Sequence, residues 1–409
     1  MNGLLAWKCR RGSTQTILDT SLALSLLLAL LLVSAVDRFR SPARAKEDSL
    51  KPPIVSTSVE RTPTPVPTSR PMRIGVTPAR PEFDDMGSLL KSLGEGYKYR
   101  VFPLEDLGNL GKISEYSIIF LTCSGVPEAW VKDRMGRAMR DNMIEVTLDD
   151  ATMKPVYENL RTYVSRGGTL YVSDLHFGLV AKAFPELVDF RKIGTGRKQT
   201  IVAEVIDPGL RELIGSRLSL QFDQSEWRPA AFAGENVVTY LQGSYQSTSG
   251  EEKTCPLLVK FPYKDGTVIF TSFHNEKVNG AIETKLLRYL VFTAVTANVE
   301  AQVTKTMVQG GFSPAKKSLF SASKEQPAVT RTYQCTKEGQ LQFVLGFQGA
   351  GARLRLTVVA PDGRKYEEEG NSTLTIDVPR AIVGDWQYTV TAIQLPNENF
   401  AFTVTVGQK

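Results

Sequence analysis

Hydrophobic and polar positions change their rhythm four times along the chain. Residues 21–36, "SLALSLLLALLLVSAV", form one unbroken apolar run, whereas residues 46–71 show no apolar period and are rich in Pro, Ser and Thr. From residue 72 short apolar runs alternate with amphipathic stretches. The runs are "MRIGVT", "YKYRVFP", "YSIIFLTCSG" and "TLYVSDLHFG". Between them "DDMGSLLKSLG" and "ATMKPVYENLRTYVSRGG" have helical spacing, the second with Leu160, Tyr163 and Val164 on its expected buried stripe and a glycine stop. "LVAKAFPEL" reads as a further helix. Strands alternating with helices predict βαβ units, and hence a mainly parallel sheet flanked by helices on both faces.

The next runs are "TIVAEVID", "LSLQFD", "NVVTYL", "CPLLVKFPY" and "GTVIFTSFH". The last two flank Lys264-Asp265-Gly266, a hairpin signal. "GAIETKLLRYLVFTAV" is expected to close the domain as a helix capped by Asn279. After about residue 300 the pattern becomes strict alternation. Leu354, Leu356 and Val358 share one face, as do Phe400, Phe402, Val404 and Val406, with turns at Pro361-Asp362-Gly363 and Gly384-Asp385. Short strands with regular turns predict an all-β sandwich. The expected divisions are therefore 1–45, 46–71, 72–299 and 300–409.

The apolar run follows Lys8, Arg10 and Arg11, and "VSA" or "ARA" offers a cleavage site after it. A basic start and a leucine-rich core fit a signal peptide or a single N-terminal membrane anchor equally well. Either places the bulk of the chain outside the cytoplasm, with the proline-rich stretch as a tether. The membrane is then a partner if the segment is kept. The net charge of +6 over 409 residues is scattered, without the basic stripe of a nucleic-acid binder. Arg191, Lys192, Arg197 and Lys198 surround Gly194 and Gly196 in a loop that reads as solvated surface rather than a phosphate cradle.

Candidate chemistry is sparse. Cys9 falls in the N-terminal segment, and Cys123, Cys255 and Cys335 have no CxxC spacing, so no zinc motif or disulfide framework is indicated. No cofactor motif is present. The chain has two histidines, His176 and His274. His176 lies in "SDLHFG" two residues after Asp174, and His274 lies in "FHNE" two before Glu276. Together these could hold a divalent metal or act as an acid–base pair, or each imidazole could order its own loop. Cys123 ends its strand at the edge where α/β sheets collect ligands, although a buried small hydrophobe is the simpler expectation. Asp84-Asp85 and Asp149-Asp150 are expected in first turns of helices, where carboxylates complement the dipole. Trp130 and Trp227 could line a sugar cleft but are more simply packing residues.

Residues 72–297 resemble the class I glutamine amidotransferase-like fold, a flavodoxin-like three-layer α/β sandwich. The resemblance rests on strand order, on "IIFLTCSG" with Cys123, Ser124 and Gly125 at the position of the oxyanion loop, and on "FHNE" in place of Phe-His-Pro-Glu. It implies His274 and Glu276 as two members of a triad. The elbow that should carry the nucleophilic cysteine reads Ser173, Asp174, Leu175. Amide hydrolysis through a thioester needs an activated thiolate there, which an aspartate or leucine cannot supply. Ser173, without the glycines that flank such an elbow, and Cys123 are the candidates to attack, with Asp174 beside them in the altered site. The C-terminal part resembles the pre-peptidase C-terminal type of β-sandwich through "APDGRKYEEEG" and "GDWQYTVTAI". Such domains are non-catalytic accessories, and Asp362, Asp377 and Asp385 are too dispersed to suggest calcium. The expectation is an extracytoplasmic, non-catalytic binding protein with an unknown ligand or surface partner. The alternative is a hydrolase with an altered site at His274 and Glu276.

Overall fold

The computed structural model describes residues 72–79, 84–131, 150–192, 194–274, 281–349 and 351–409. The hydrophobic run, the tether, Cys9, Asp149, Glu276 and Asn279 lie outside the described residues. Among the described residues no helix is long and apolar enough to cross a membrane.

The first domain runs β1 (Ile74–Val76), α1 (Met86–Ser92), β2 (Tyr99–Val101), α2 (Leu110–Ile113), β3 (Ile118–Leu121), α3 (Asp150–Ser165), β4 (Thr169–Ser173) and α4 (Phe177–Ala183). It continues through β5 (Gln199–Val205), α5 (Pro208–Ile214), β6 (Arg217–Phe222), β7 (Val238–Gln246), β8 (Glu252–Tyr263), β9 (Gly266–Thr271) and α6 (Ala281–Gln309). All the strands form one nine-stranded sheet in the order β2-β1-β3-β4-β9-β8-β7-β5-β6. From β2 to β9 the neighbours are parallel. From β9 to β6 they are antiparallel. The sheet is therefore mixed, not mainly parallel as its hydropathy suggests. The reason is local: β8 and β9 are joined by the Lys264-Asp265 turn, with Tyr263 opposite Gly266, and a two-residue connection can only reverse the chain.

Successive residues of the central strands face opposite layers. Ile118, Phe120, Tyr171 and Ile269 pack with Met86 and Leu90 of α1 and Leu286 and Leu290 of α6. Ile119, Leu121, Leu170, Val172, Val268 and Phe270 pack with Val156 and Leu160 of α3 and Val180 of α4. These continuous buried runs follow from helices covering both faces. Gly266 lets β9 start hard against α3. A Cβ there would lie 2.0 Å from the Val164 carbonyl oxygen and 2.5 Å from that of Gly168. Both are backbone atoms and cannot rotate away, so Gly266→Ala is expected to destabilise by about 1–3 kcal/mol. Urea denaturation midpoints of the two proteins check this, and an unchanged midpoint would contradict the packing.

The second domain contains β10 (Ser313–Ala322), β11 (Ala328–Cys335), β12 (Gly339–Phe347), β13 (Arg353–Val359), β14 (Lys365–Gly370), β15 (Leu374–Ala381), β16 (Gly384–Gln394) and β17 (Phe400–Gln408). They form two four-stranded sheets, β10-β17-β12-β15 and β11-β16-β13-β14, all antiparallel. Leu354, Leu356, Val358, Phe402, Val404 and Val406 fill the space between them around Trp386.

Helix α6 passes through the expected junction at residue 300 and belongs to both domains. Its first half packs on the nine-stranded sheet. Val299, Val303 and Met307 pack against Val344 of β12. Glu300 sits between the domains. Its carboxylate is 3.1 Å from Lys260 Nζ on β8 and 3.3 Å from Lys317 Nζ on β10.

Candidate functional site

The parallel strands all end on one edge of the sheet, and polar residues gather at the ends of β1, β3 and β4. Thr77 follows β1, Thr122 and Cys123 follow β3, and Ser173 and Asp174 close β4. All five are buried. The Thr122 amide donates to Thr77 Oγ1 at 2.9 Å, tying β3 to β1. The Cys123 amide is shared between Asp84 Oδ2 at 2.8 Å and Ser173 Oγ at 2.9 Å, and the Ser173 hydroxyl donates to Asp84. At the end of β9, Thr271 Oγ1 donates to the Phe273 carbonyl at 3.1 Å. Its lone pair is then left to accept from Tyr171 Oη, 3.0 Å away. This fixes the segment that carries His274.

The bend after β4 is made by Asp174, at φ 37°. Few side chains tolerate that region, and aspartate is one of them. A short 3-10 turn, Asp174–His176, then leads into α4. The strand–turn–helix elbow therefore exists without flanking glycines, with a carboxylate at its apex. Asp174 Oδ1 accepts from the Arg228 amide at 2.5 Å. Oδ2 lies 2.9 Å from His274 Nε2. Cys123 completes the group. Its Sγ, a His274 ring nitrogen and an Asp174 oxygen all lie within 4.8 Å of one another.

Burial dominates the electrostatics. It pushes the Cys123 thiol up to about 11, with His274 pulling the other way. It also raises the Asp174 carboxyl, against the lowering effect of His274 and the Arg228 amide. Burial disfavours a charge on His274, but Asp174 and Cys123 outweigh it and hold the imidazole well above its ordinary range. Cys123 is thus favoured as a neutral thiol beside the Asp174–His274 pair, and a neutral thiol is a poor nucleophile.

The residues singled out in the sequence are distributed as follows. Cys123, Asp174 and His274 meet. Ser173 adjoins them, but its hydroxyl is engaged by Asp84. Glu276 lies outside the described residues, and the carboxylate found beside His274 is Asp174. His176 does not join the group. Its Nε2 contacts the Ser124 amide at 3.2 Å and carbonyl at 3.0 Å, and burial lowers its pKa to about 4. It is a neutral ring that orders the loop after β3. Asp85 is not in the first turn of α1 but caps it from the position before, accepting from the Ser88 amide at 2.9 Å. Asp84 instead points into the strand-end cluster, a role the Asp-Asp doublet does not betray. Arg228 contributes only its backbone N–H, which no side-chain pattern could reveal.

The remaining candidates are elsewhere. Trp227 is buried between Phe222 and Tyr245, with ring centroids 4.1 and 4.8 Å away. Its indole lies over Gly196, where a Cβ would come within 2.0 Å of the ring. The basic loop thus needs that glycine for packing on Trp227. Trp130 is also buried. Cys123, Cys255 and Cys335 are free thiols. Asp362 is held by Arg364, Asp377 accepts from Gln342, and the three sandwich aspartates form no cluster.

No protein-family model matches the chain, and no curated protein matches it in sequence. Several solved structures are similar at low identity. A cytoplasmic protein from Salmonella typhimurium is 11% identical with a TM-score of 0.30, over 53% of this chain and 98% of its own. A glutamine amidotransferase from Thermotoga maritima is 10% identical with a TM-score of 0.32, over 59% of this chain and 95% of its own. A β-galactosidase from Bacillus circulans is 10% identical with a TM-score of 0.28, over 79% of this chain but only 42% of that enzyme. Likenesses this slight say nothing of chemistry, and the fold stands on the strand order above.

Proposed function

We propose that this chain is an extracytoplasmic, non-catalytic binding protein. Its amidotransferase-like domain serves as a ligand or partner platform, and the β-sandwich is an accessory module. The observation that carries the reading is Asp174 at the apex of the elbow, buried, with one oxygen on the Arg228 amide and the other against His274. The position that would present a nucleophile holds a carboxylate engaged on both oxygens. Ser173 donates its proton to Asp84, and Cys123 is held as a thiol. What remains is a rigid polar edge at the C-terminal ends of parallel strands, where ligands of open α/β sheets bind. The extracytoplasmic location is supported by the basic-then-apolar N-terminal sequence.

A hydrolase is the second reading, because Cys123, His274 and Asp174 have the residue types of a nucleophile, a base and its orienting carboxylate. A broad serine- and cysteine-reactive probe separates the two. No labelling that depends on His274 is expected. Labelling of the native protein that disappears in His274→Ala, with the variant still folded by circular dichroism, would overturn the binding-protein reading in favour of the hydrolase.

A further inference from the structure

We propose that Cys123, Asp174 and His274 form a binding site for a divalent transition metal of the zinc class, through Sγ, Oδ2 and a ring nitrogen. The inference does not rest on the binding-protein reading. The donor set is the first reason. A thiolate, an imidazole and a carboxylate are the ligands zinc favours, and calcium or magnesium would take oxygen alone.

Geometry is the second reason. The three donors come from the end of β3, the apex of the elbow and the segment after β9, and they converge within 4.8 Å. In a tetrahedral zinc site neighbouring donors are roughly 3.2–3.8 Å apart, from bonds of about 2.0–2.3 Å. The separations here reach at most about 1 Å beyond that range, so the donors would draw together on binding.

The third reason lies in the surroundings. Asp174 is buried, with 1% of its side chain exposed, and its Oδ2 already faces His274 Nε2 at 2.9 Å. The outer contacts are those of a metal site as well. The Arg228 amide orients Asp174 through its other oxygen, and Asp84 with Ser173 fixes the Cys123 backbone. Three protein donors leave a fourth position for water or for a donor atom of a ligand. On binding, the Cys123 thiol proton and the His274 imidazolium proton are released to solvent, and three metal–ligand bonds form without change of oxidation state.

Cobalt is the direct probe, because a cobalt–thiolate bond gives a charge-transfer absorption and tetrahedral coordination gives intense ligand-field bands. The purified full chain, stripped with a chelator, should take up one equivalent of Co²⁺ with both features, and Zn²⁺ should displace them. Cys123→Ser should abolish the charge-transfer band, and Asp174→Asn should alter the ligand-field bands. A variant with Cys9→Ser, Cys255→Ser and Cys335→Ser keeps Cys123 as its only thiol and should retain the band. This decides the matter should Cys123→Ser fail to fold. No thiolate band in the wild-type protein, a band unchanged in folded Cys123→Ser, or its loss from the folded triple variant would each overturn the proposal.

Discussion

Asp174→Ala is expected to destabilise the protein by about 3–5 kcal/mol, the loss that follows when one partner of a buried charged pair is removed. The alanine leaves the His274 imidazolium without its carboxylate and the Arg228 amide without an acceptor. It also places a side chain with no compensating hydrogen bond at φ 37°. Asp174→Asn should lose less. Asparagine tolerates the same backbone region and can still accept from Arg228. The difference between the two variants separates the conformational contribution from the charge. Equilibrium urea unfolding near neutral pH measures both. An alanine variant within about 1 kcal/mol of wild type, in the range of ordinary surface changes, would mean that the pair is not closed as described.

The second large effect concerns the joint between the domains. Glu300→Ala is expected to destabilise by up to about 3 kcal/mol, because Lys260, with 14% of its side chain exposed, would lose its counter-charge. Glu300→Gln removes the charge while keeping the shape, and its pH dependence tests the mechanism. Burial alone would raise the Glu300 carboxyl, but Lys260 and Lys317 hold it below the ordinary carboxylate value. A depressed carboxyl pKa contributes stability that is fully present above the unfolded value, about 4.3 for glutamate. That stability is lost as pH falls through the folded value. The advantage of wild type over Glu300→Gln should therefore be constant near neutrality and shrink in acid. At the alkaline end Lys260 works in the opposite sense. Burial opposes its charge, yet Glu300 raises its pKa above the ordinary lysine value, so its contribution holds below that value and fades only above it. A wild-type advantage that is absent at neutral pH, or that grows in acid, would contradict the pairing of Glu300 with Lys260 and Lys317.

The elements were legible in the sequence because their periods differ. Four apolar runs and the amphipathic helix at Leu160, Tyr163 and Val164 correspond to β1 to β4 and α3, and period-two alternation marks the sandwich. Sheet partnership was less legible. Nothing in "TIVAEVID" or "LSLQFD" says that they extend the parallel half antiparallel, because pairing is decided by tertiary contacts. The extent of α6 was also hidden. A helix buried against a sheet at one end and a sandwich at the other loses the polar stripe by which a surface helix is recognised.

The site was legible by strand end. Cys123, Ser173, Asp174 and His274 were all marked by their places at the C-terminal edge, and Asp174 was expected to share a cleft with His274. It reaches that place from 100 residues earlier through parallel pairing of β4 and β9, while Glu276 lies outside the described residues. Asp84 was hidden by its doublet, since adjacent carboxylates point in different directions and only one of them caps the helix.

The claim that the strand-end cluster is non-catalytic is tested most directly by thiol alkylation of the folded, metal-free protein, mapped by mass spectrometry. Cys123, Cys255 and Cys335 are all buried, so each serves as a control for the others. The expected result is that Cys123 reacts no faster than Cys255 and Cys335, and equally slowly in folded His274→Ala. Selective, rapid modification of Cys123 that disappears with His274 would contradict the account and show an activated nucleophile at the end of β3.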